Sequence, residues 1–515
     1  MSNVNTPTPR NKHLNMPLID FAGSPWTVGN AVEGVQIFGG IGSGKTSGSG
    51  RFLALKYLSH GFGGLVLTVK PDEKELWEGY CALAGRSDDL VIIEEGGSHS
   101  FNFLEYESKE GKTANIVQVL KTVIRAGEEK ASGNSQDPFW ETALDMLIVH
   151  VIDLCKLAYG HVTVQQMYDI VQSLPKSGTH EADKNSTFQK AMSAADENVR
   201  AQIKAWQAKQ SSDEMARFIQ NEAYYDSAVR NELPDARLFA FVKQFFLGTF
   251  LKLAEKTRAV IDFTFSGFLF QLLRDPIYPL FCQYTSTVTP EDCLTGKIIL
   301  VNLPVKLYHK IGRDCQILFK YIWQRAMERR RVEEDSRPVF LWADEAQNFL
   351  HEYDAEYQAT ARSSMIATVY LSQNLPNYHA NMGGAKSEYR VKSFLGTLAT
   401  KIFHANADIE TNRYASELIG DGFFEDISEG STVAGEFSIN TTKHLKIDRI
   451  VRPESFLRLK TGGDRNDKFT EAYFHFQGNV LVTKSQNKSQ KEVSKTRKNH
   501  IKKQFHQEYE PKPKH

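Results

Sequence analysis

The chain has 515 residues, 41% of them hydrophobic and 24% charged, with 35 Gly, 17 Pro and a formal net charge of zero. Those fractions exclude disordered, collagen-like and disulfide-scaffold proteins, and a chain this long buries a large core unaided, with room for about three domains. The five cysteines (Cys81, Cys155, Cys282, Cys293, Cys315) include no C-x-x-C pair and are expected as buried thiols of a reducing compartment. The N-terminus lacks the apolar core of a signal peptide. The greasiest stretch, Ala143 to Ala158, is interrupted by Asp145, His150, Asp153 and Lys156. No membrane span is expected, and a cytoplasmic location is.

Residues 1–33 are rich in Pro and Asn and are expected to be extended. From Gly34 the pattern becomes strand (GVQIFGG), Gly-rich loop (IGSGKT) and helix, the last running to about His60. Short apolar runs at Leu65–Lys70 and Leu90–Glu95 suit strands buried on both faces of a parallel sheet. Residues 111–256 change character: long stretches with helical spacing predict an all-α insertion, with aromatics such as Phe139, Trp140, Phe245 and Phe246 in its core. Strand patterns resume at Lys297–Pro304, Pro338–Glu345, Met365–Asn374 and Leu398–Asn406, separated by helical connectors such as Asp314–Arg331. The alternation predicts a doubly wound α/β fold with a mostly parallel sheet. Glu436–Lys484 reads as shorter antiparallel strands. From Lys484 onward ten Lys/Arg face three Asp/Glu, a net +7 against −7 for the rest of the chain, so residues 485–515 are expected to be a basic disordered tail. Such a tail is either simply solvated or a tether to nucleic acid or acidic lipid.

Gly39-Gly40-Ile41-Gly42-Ser43-Gly44-Lys45-Thr46 fits G-x-x-x-x-G-K-[ST] between an apolar strand and a helix. Glycines there let backbone N–H groups turn inward to cradle phosphate oxygens, while the helix N-terminus favours their charge. The nucleotide-binding residues are therefore expected to be Gly39 through Ser47, with ATP and Mg²⁺ as ligands. Lys45 is expected to reach the β/γ-phosphates and the Thr46 hydroxyl to ligate the metal. The second half of the site is the strand Val339–Ala343 followed by Asp344 and Glu345. Asp344 is the candidate for Mg²⁺, and Glu345 for the base that orients the attacking water. Two adjacent acids favour hydrolysis over a passive switch. Gln373, at the end of MIATVYLSQN, can sense the γ-phosphate, or it is a polar strand end facing solvent. Arg362, eleven residues earlier, is either an ordinary solvated arginine or one that reaches a neighbouring subunit.

These motifs, in this order, resemble the coupling ATPases of conjugative type IV secretion (TraG/TraD type), relatives of the hexameric FtsK/HerA translocases. The resemblance runs over roughly 34–484. It rests on GGIGSGKT, VKPDE (Val69–Glu73), HSFNFLE (His99–Glu105), FW-x-x-A-x-x-M-L (Phe139–Leu147), FLWADEAQNF with Arg362 and Gln373 after it, ADIETNRYASELIG (Ala407–Gly420) and Arg452-Pro453-Glu454. Lys70-Pro71-Asp72 and Phe103 depart from the family's usual residues. The resemblance implies a RecA-like P-loop ATPase domain made of 34–110 and 257–484, in a branch without transmembrane helices. It implies an arginine finger at Arg362 and a sensor at Gln373. It also implies a homo-hexamer that moves single- or double-stranded DNA, with a relaxase or other protein cargo, to a channel reached through a separate membrane partner. Two rivals remain at this point: a HerA-like translocase in repair or phage defence, and an adaptor ATPase that docks protein cargo.

Overall fold

The computed structural model describes residues 11–21, 23–108, 113–128, 138–175, 185–382, 387–434, 436–478, 481–486 and 493–510. It divides into two compact units, Met1–Ile92 with Pro290–His515, and Ile93–Thr289.

The first unit is built on a nine-stranded sheet. In chain order the strands are β1 (Pro17–Phe21), β2 (Ser24–Thr27), β3 (Val35–Phe38), β4 (Gly63–Leu67), β5 (Leu90–Ile93), β6 (Ile298–Val301), β7 (Val339–Ala343), β8 (Ile366–Ser372), β9 (Thr400–His404), β10 (Asp421–Ala434), β11 (Glu436–Arg449), β12 (Phe469–Phe476), β13 (Leu481–Gln486), β14 (Val493–Lys498) and β15 (His500–His506). The main sheet runs β15-β12-β9-β3-β8-β7-β4-β6-β5, while β1–β2, β10–β11 and β13–β14 are separate two-stranded pairs. Strands β9, β3, β8, β7, β4 and β6 pair in parallel, and β12 pairs antiparallel with both β9 and β15. Six of the seven apolar runs predicted as strands contain one of β3 and β5 to β9, and the seventh, Leu65–Lys70, overlaps β4, which starts two residues earlier. Every residue of β3, β7, β8 and β9 is buried, which is why these segments read as continuous apolar runs without alternation. Strand β8 lies between β3 and β7, so the ends of the phosphate-loop strand and the acidic strand flank a third strand end.

Both expected chain ends differ from the prediction. Residues 1–10 lie outside the described residues, but 11–33 form a short turn, the β1–β2 hairpin and a helical turn that join the core. Trp26 is 2% exposed and donates from Nε1 to Thr400 Oγ1 at 3.2 Å. Residues 487–492 and 511–515 of the expected tail lie outside the described residues, yet β15 is the edge strand of the main sheet. Its inward positions, Ile501, Lys503 and Phe505, alternate with outward Lys502 and Gln504. Phe505 stacks on Phe474 at 5.7 Å, and the Lys503 amine sits over the Phe21 ring at 4.7 Å. A strand needs an apolar residue only at every second position, and a window averaged over a basic stretch hides that.

Between its first helix, Phe103–Ser108, and its last before residue 290, Tyr278–Phe281, every regular element described in the second unit is a helix. It begins before residue 111 and ends after 256, because short helices and loops flank the strongly periodic segments that carried the prediction. Phe245 and Phe246 are 3% and 0% exposed within it, while the side chains of Phe139 and Trp140 lie outside the described residues. No single helix is long and apolar enough to cross a membrane among the described residues; Glu141–Tyr159 and Val164–Gln172 pass together but are bent by 111°.

Candidate nucleotide site

The carboxyl ends of the parallel strands share one edge of the sheet, the usual ligand edge of open α/β folds. The phosphate loop leaves β3 there and enters a helix, Thr46–Gly50 as a wide turn and Arg51–Ser59 as regular α-helix. Gly39 and Gly40 spend their amides on the carbonyls of Ser372 (3.3 Å) and Ala405 (2.9 Å). In this arrangement they anchor the loop to its neighbours, and Gly40 also lines the cavity that opens from the loop. Beyond them, Gly42 and Gly44 have φ of 71° and 79°, a region that favours glycine. Among the described residues the amides of Gly42, Gly44 and Lys45 donate to no carbonyl. A Cβ on Gly39 would stand 2.4 Å from Ser43 Oγ, and one on Gly44 would stand 2.2 Å from Thr470 Cγ2. Ser43 Oγ is itself buried with no hydrogen-bond partner. Amides without a carbonyl partner, an orphaned hydroxyl and glycines whose added Cβ would clash fit a phosphate ligand. Ile41 is 90% exposed at the loop tip and offers only its backbone.

Asp344 and Glu345, about 300 residues away in sequence, meet this loop. Thr46 Oγ1 donates to Asp344 Oδ2 at 2.7 Å, and Lys45 Nζ lies 3.4 Å from Glu345 Oε1. Glu345 has φ 48° and ψ 49°, an unusual left-handed conformation for a residue with a side chain, and its amide is held by Asp344 Oδ1 at 2.8 Å. Gln373 Nε2 donates to Glu345 Oε1 at 3.0 Å, and Gln347 Nε2 to Oε2 at 2.9 Å. Burial alone would raise the Glu345 carboxyl, but Lys45, the two amides and Lys70 together hold it below the ordinary carboxylate range. A carboxylate kept ionised, oriented by two amides and backed by a lysine can accept a hydrogen bond from water.

A cavity of about 550 Å³ opens from the loop, lined by Thr46, Ser47, Lys70, Glu73, Asp344 and Gln507 among others. Glu73 starts the helix Glu73–Leu83; its Oε2 accepts from the amides of Val69 (2.6 Å) and Lys70 (3.3 Å), while Oε1 is buried without a partner. Burial and the nearby Asp344 push its carboxyl up to about 8.

Comparison with known proteins adds a family match over part of the chain. Residues 338–461 match the family described as the TraM recognition site of TraD and TraG. That segment contains Asp344, Glu345, Arg362 and Gln373. Over that segment the chain is similar to TraD- and TraG-type proteins.

No curated protein matches this chain. Among solved structures it is similar to the unbound bacterial conjugative coupling protein TrwBdeltaN70, at 12% identity and a TM-score of 0.58, over 95% of this chain and 89% of that one. The plasmid coupling protein TrwB with the non-hydrolysable ATP analogue ADPNP gives 12% and 0.55, over 98% and 92%. TrwB with ADP and Mg²⁺ gives 13% and 0.53, over 97% and 92%. At such identities the likeness is one of fold.

Lys45, Thr46, Asp344, Glu345 and Gln373 thus converge, and Arg362 does not join them. It follows the helix Asp354–Ala361 and precedes β8, so it stands at the opposite edge of the sheet, roughly 20 Å from the far end of that strand. There it pairs with Glu33 at 3.1 Å, its side chain 66% exposed. Three neighbours of the site escaped the sequence reading. Gln347 sits in a run where only the two acids stood out, and His404 (Nε2 2.7 Å from Ser49 Oγ) read as an ordinary strand end. Gln507 lies in what looked like a tail.

Proposed function

We propose that this chain is an ATP-hydrolysing DNA translocase, a coupling protein that delivers DNA with attached protein to a type IV secretion channel. The carrying observation is the convergence of Lys45 and Thr46 with Asp344 and Glu345 at one sheet edge, in a chain whose 338–461 segment matches the TraD/TraG recognition site. ATP with Mg²⁺ fits the donor set. Magnesium is typically held by one or two oxygen ligands plus phosphates and water, and Thr46 with Asp344 supplies such a pair. Among the described residues no cluster of three His, Cys, Asp or Glu exists to hold a metal by itself, so the ion is expected to arrive with the nucleotide.

In this reading the loop amides and Lys45 bind the phosphates, and Glu345 aligns the attacking water and takes its proton. Gln373 links Glu345 to β8 and reports the state of the γ-phosphate. Arg362, exposed on the far edge, serves the site of the next subunit in a homo-hexamer. DNA passes through the ring, held by its phosphates with little sequence preference. A relaxase or similar cargo docks on the helical unit or the recognition segment, and a separate membrane partner places the ring at the cytoplasmic face of the envelope. The test is ATPase rate per subunit against protein concentration, with and without single- and double-stranded DNA. The rate is expected to rise with both; a rate flat in concentration and indifferent to DNA would remove the motor in favour of a cargo adaptor.

A further inference from the structure

We propose that the C-terminal segment His500–Glu510 is the nucleoside-side wall of the nucleotide site, with Gln507 as its positioning residue. The proposal rests on the ATP reading above and extends it to the half of the ligand that the phosphate loop does not hold.

Strand sense brings the chain's end to this place. Strand β12 runs antiparallel to β9, and β15 antiparallel to β12 with His506 opposite Phe469. The carboxyl end of β15 therefore falls on the same edge as the phosphate loop. Gln507, the next residue, engages both ends of its amide there, leaving one N–H and one oxygen lone pair to spare. Its Nε2 donates to Ser47 Oγ at 2.7 Å, and its Oε1 accepts from the Gly463 amide at 2.8 Å. Its carbonyl accepts from Arg51 Nη1. Two residues on, the Tyr509 ring packs on Phe52 at 4.7 Å, with the Lys56 amine 5.7 Å from its centre. The approach is close: a Cβ on Gly462 would stand 2.5 Å from the Gln507 side chain.

The geometry also gives the segment its side. Asp344, Glu345 and Gln373 directly follow β7 and β8, to one side of β3, whereas β12 and β15 lie on the other. A terminal phosphate at Lys45 and Glu345 directs the nucleoside away from β7, toward the flank where Gln507 lines the cavity. A side-chain amide carries donors and an acceptor together, which suits sugar hydroxyls and base edges better than phosphate.

The test measures ATP, ADP and inorganic tripolyphosphate binding by calorimetry to the full chain and to Gln507→Ala and Tyr509→Ala, with thermal unfolding confirming that each variant is folded. Gln507→Ala is expected to bind ATP and ADP about 5- to 10-fold more weakly, the scale of one lost hydrogen bond, and Tyr509→Ala to weaken the same two ligands by releasing the packing on Phe52, while tripolyphosphate changes less than about twofold for either. Equal weakening of all three ligands, or of none, overturns the nucleoside assignment. Wild-type protein that binds neither ATP nor tripolyphosphate overturns the ATP reading itself, and the two failures are thereby distinct.

Discussion

At the scale of single residues, Lys45 and Glu345 share one charge pair, 9% and 7% exposed, so each is held in place by the other. Lys45→Ala removes the only loop cation aimed at the phosphates and is expected to abolish ATP turnover, read as phosphate release. Glu345→Gln keeps shape and size but cannot accept a proton. It is expected to bind ATP normally and lose about 10²- to 10⁴-fold in rate; turnover at the wild-type rate would remove Glu345 as base. Glu73 makes a pH prediction in the nucleotide-free protein. Its folded carboxyl, at about 8, holds a proton that the unfolded chain releases near 4.5. The contribution to stability is therefore complete below about 4.5 and is lost as pH rises toward 8. Glu73→Gln mimics the protonated form, so its stability relative to wild type is expected to increase between pH 5 and 8, by at least about 1 kcal/mol in urea melts. Parallel curves would show that Glu73 is ionised in the folded chain.

At the scale of elements, the segment after Glu345 is held by a buried polar knot. Lys320, in the helix Val305–Arg329, donates to Asp354 and to the Phe349 carbonyl, both at 2.7 Å; Lys320 and Asp354 are each 0% exposed. Gln324 donates to the same carboxylate at 2.9 Å, and the His351 amide at 2.8 Å. Lys320→Met leaves Asp354 charged and buried and is expected to cost about 3–5 kcal/mol in chemical unfolding. Adding Asp354→Asn should restore part of that loss, and no restoration would show that the amine acts by packing alone. This knot was invisible in sequence: a lysine and an aspartate 34 residues apart, each on an otherwise ordinary helix, carry no mark of pairing. The parallel strands were legible for the opposite reason, since burial on both faces leaves an uninterrupted apolar run.

At the scale of the whole molecule, one chain gathers five of the expected site residues and leaves Arg362 on the far edge. If Arg362 acts on a neighbour's nucleotide, mixing Arg362→Ala with Lys45→Ala subunits should partly restore the ATPase rate that each lacks alone. Rescue absent at every mixing ratio would argue for a structural role through its pair with Glu33.

The sequence by itself determined the phosphate loop, the acidic strand end and the class of fold, because these depend on local chemistry. Glycines must stand where the backbone turns sharply, a lysine and a hydroxyl must follow them, and buried strands must be apolar. Only the tertiary structure decided that β8 lies between β3 and β7, so that Gln373 meets Glu345. It also decided that the Gly39 and Gly40 amides bond to the Ser372 and Ala405 carbonyls, and that a basic C-terminal stretch returns as an edge strand beside the loop. Those outcomes depend on which distant segments pair, and a strand's partner is set by the packing of the whole sheet, which no local window of residues encodes.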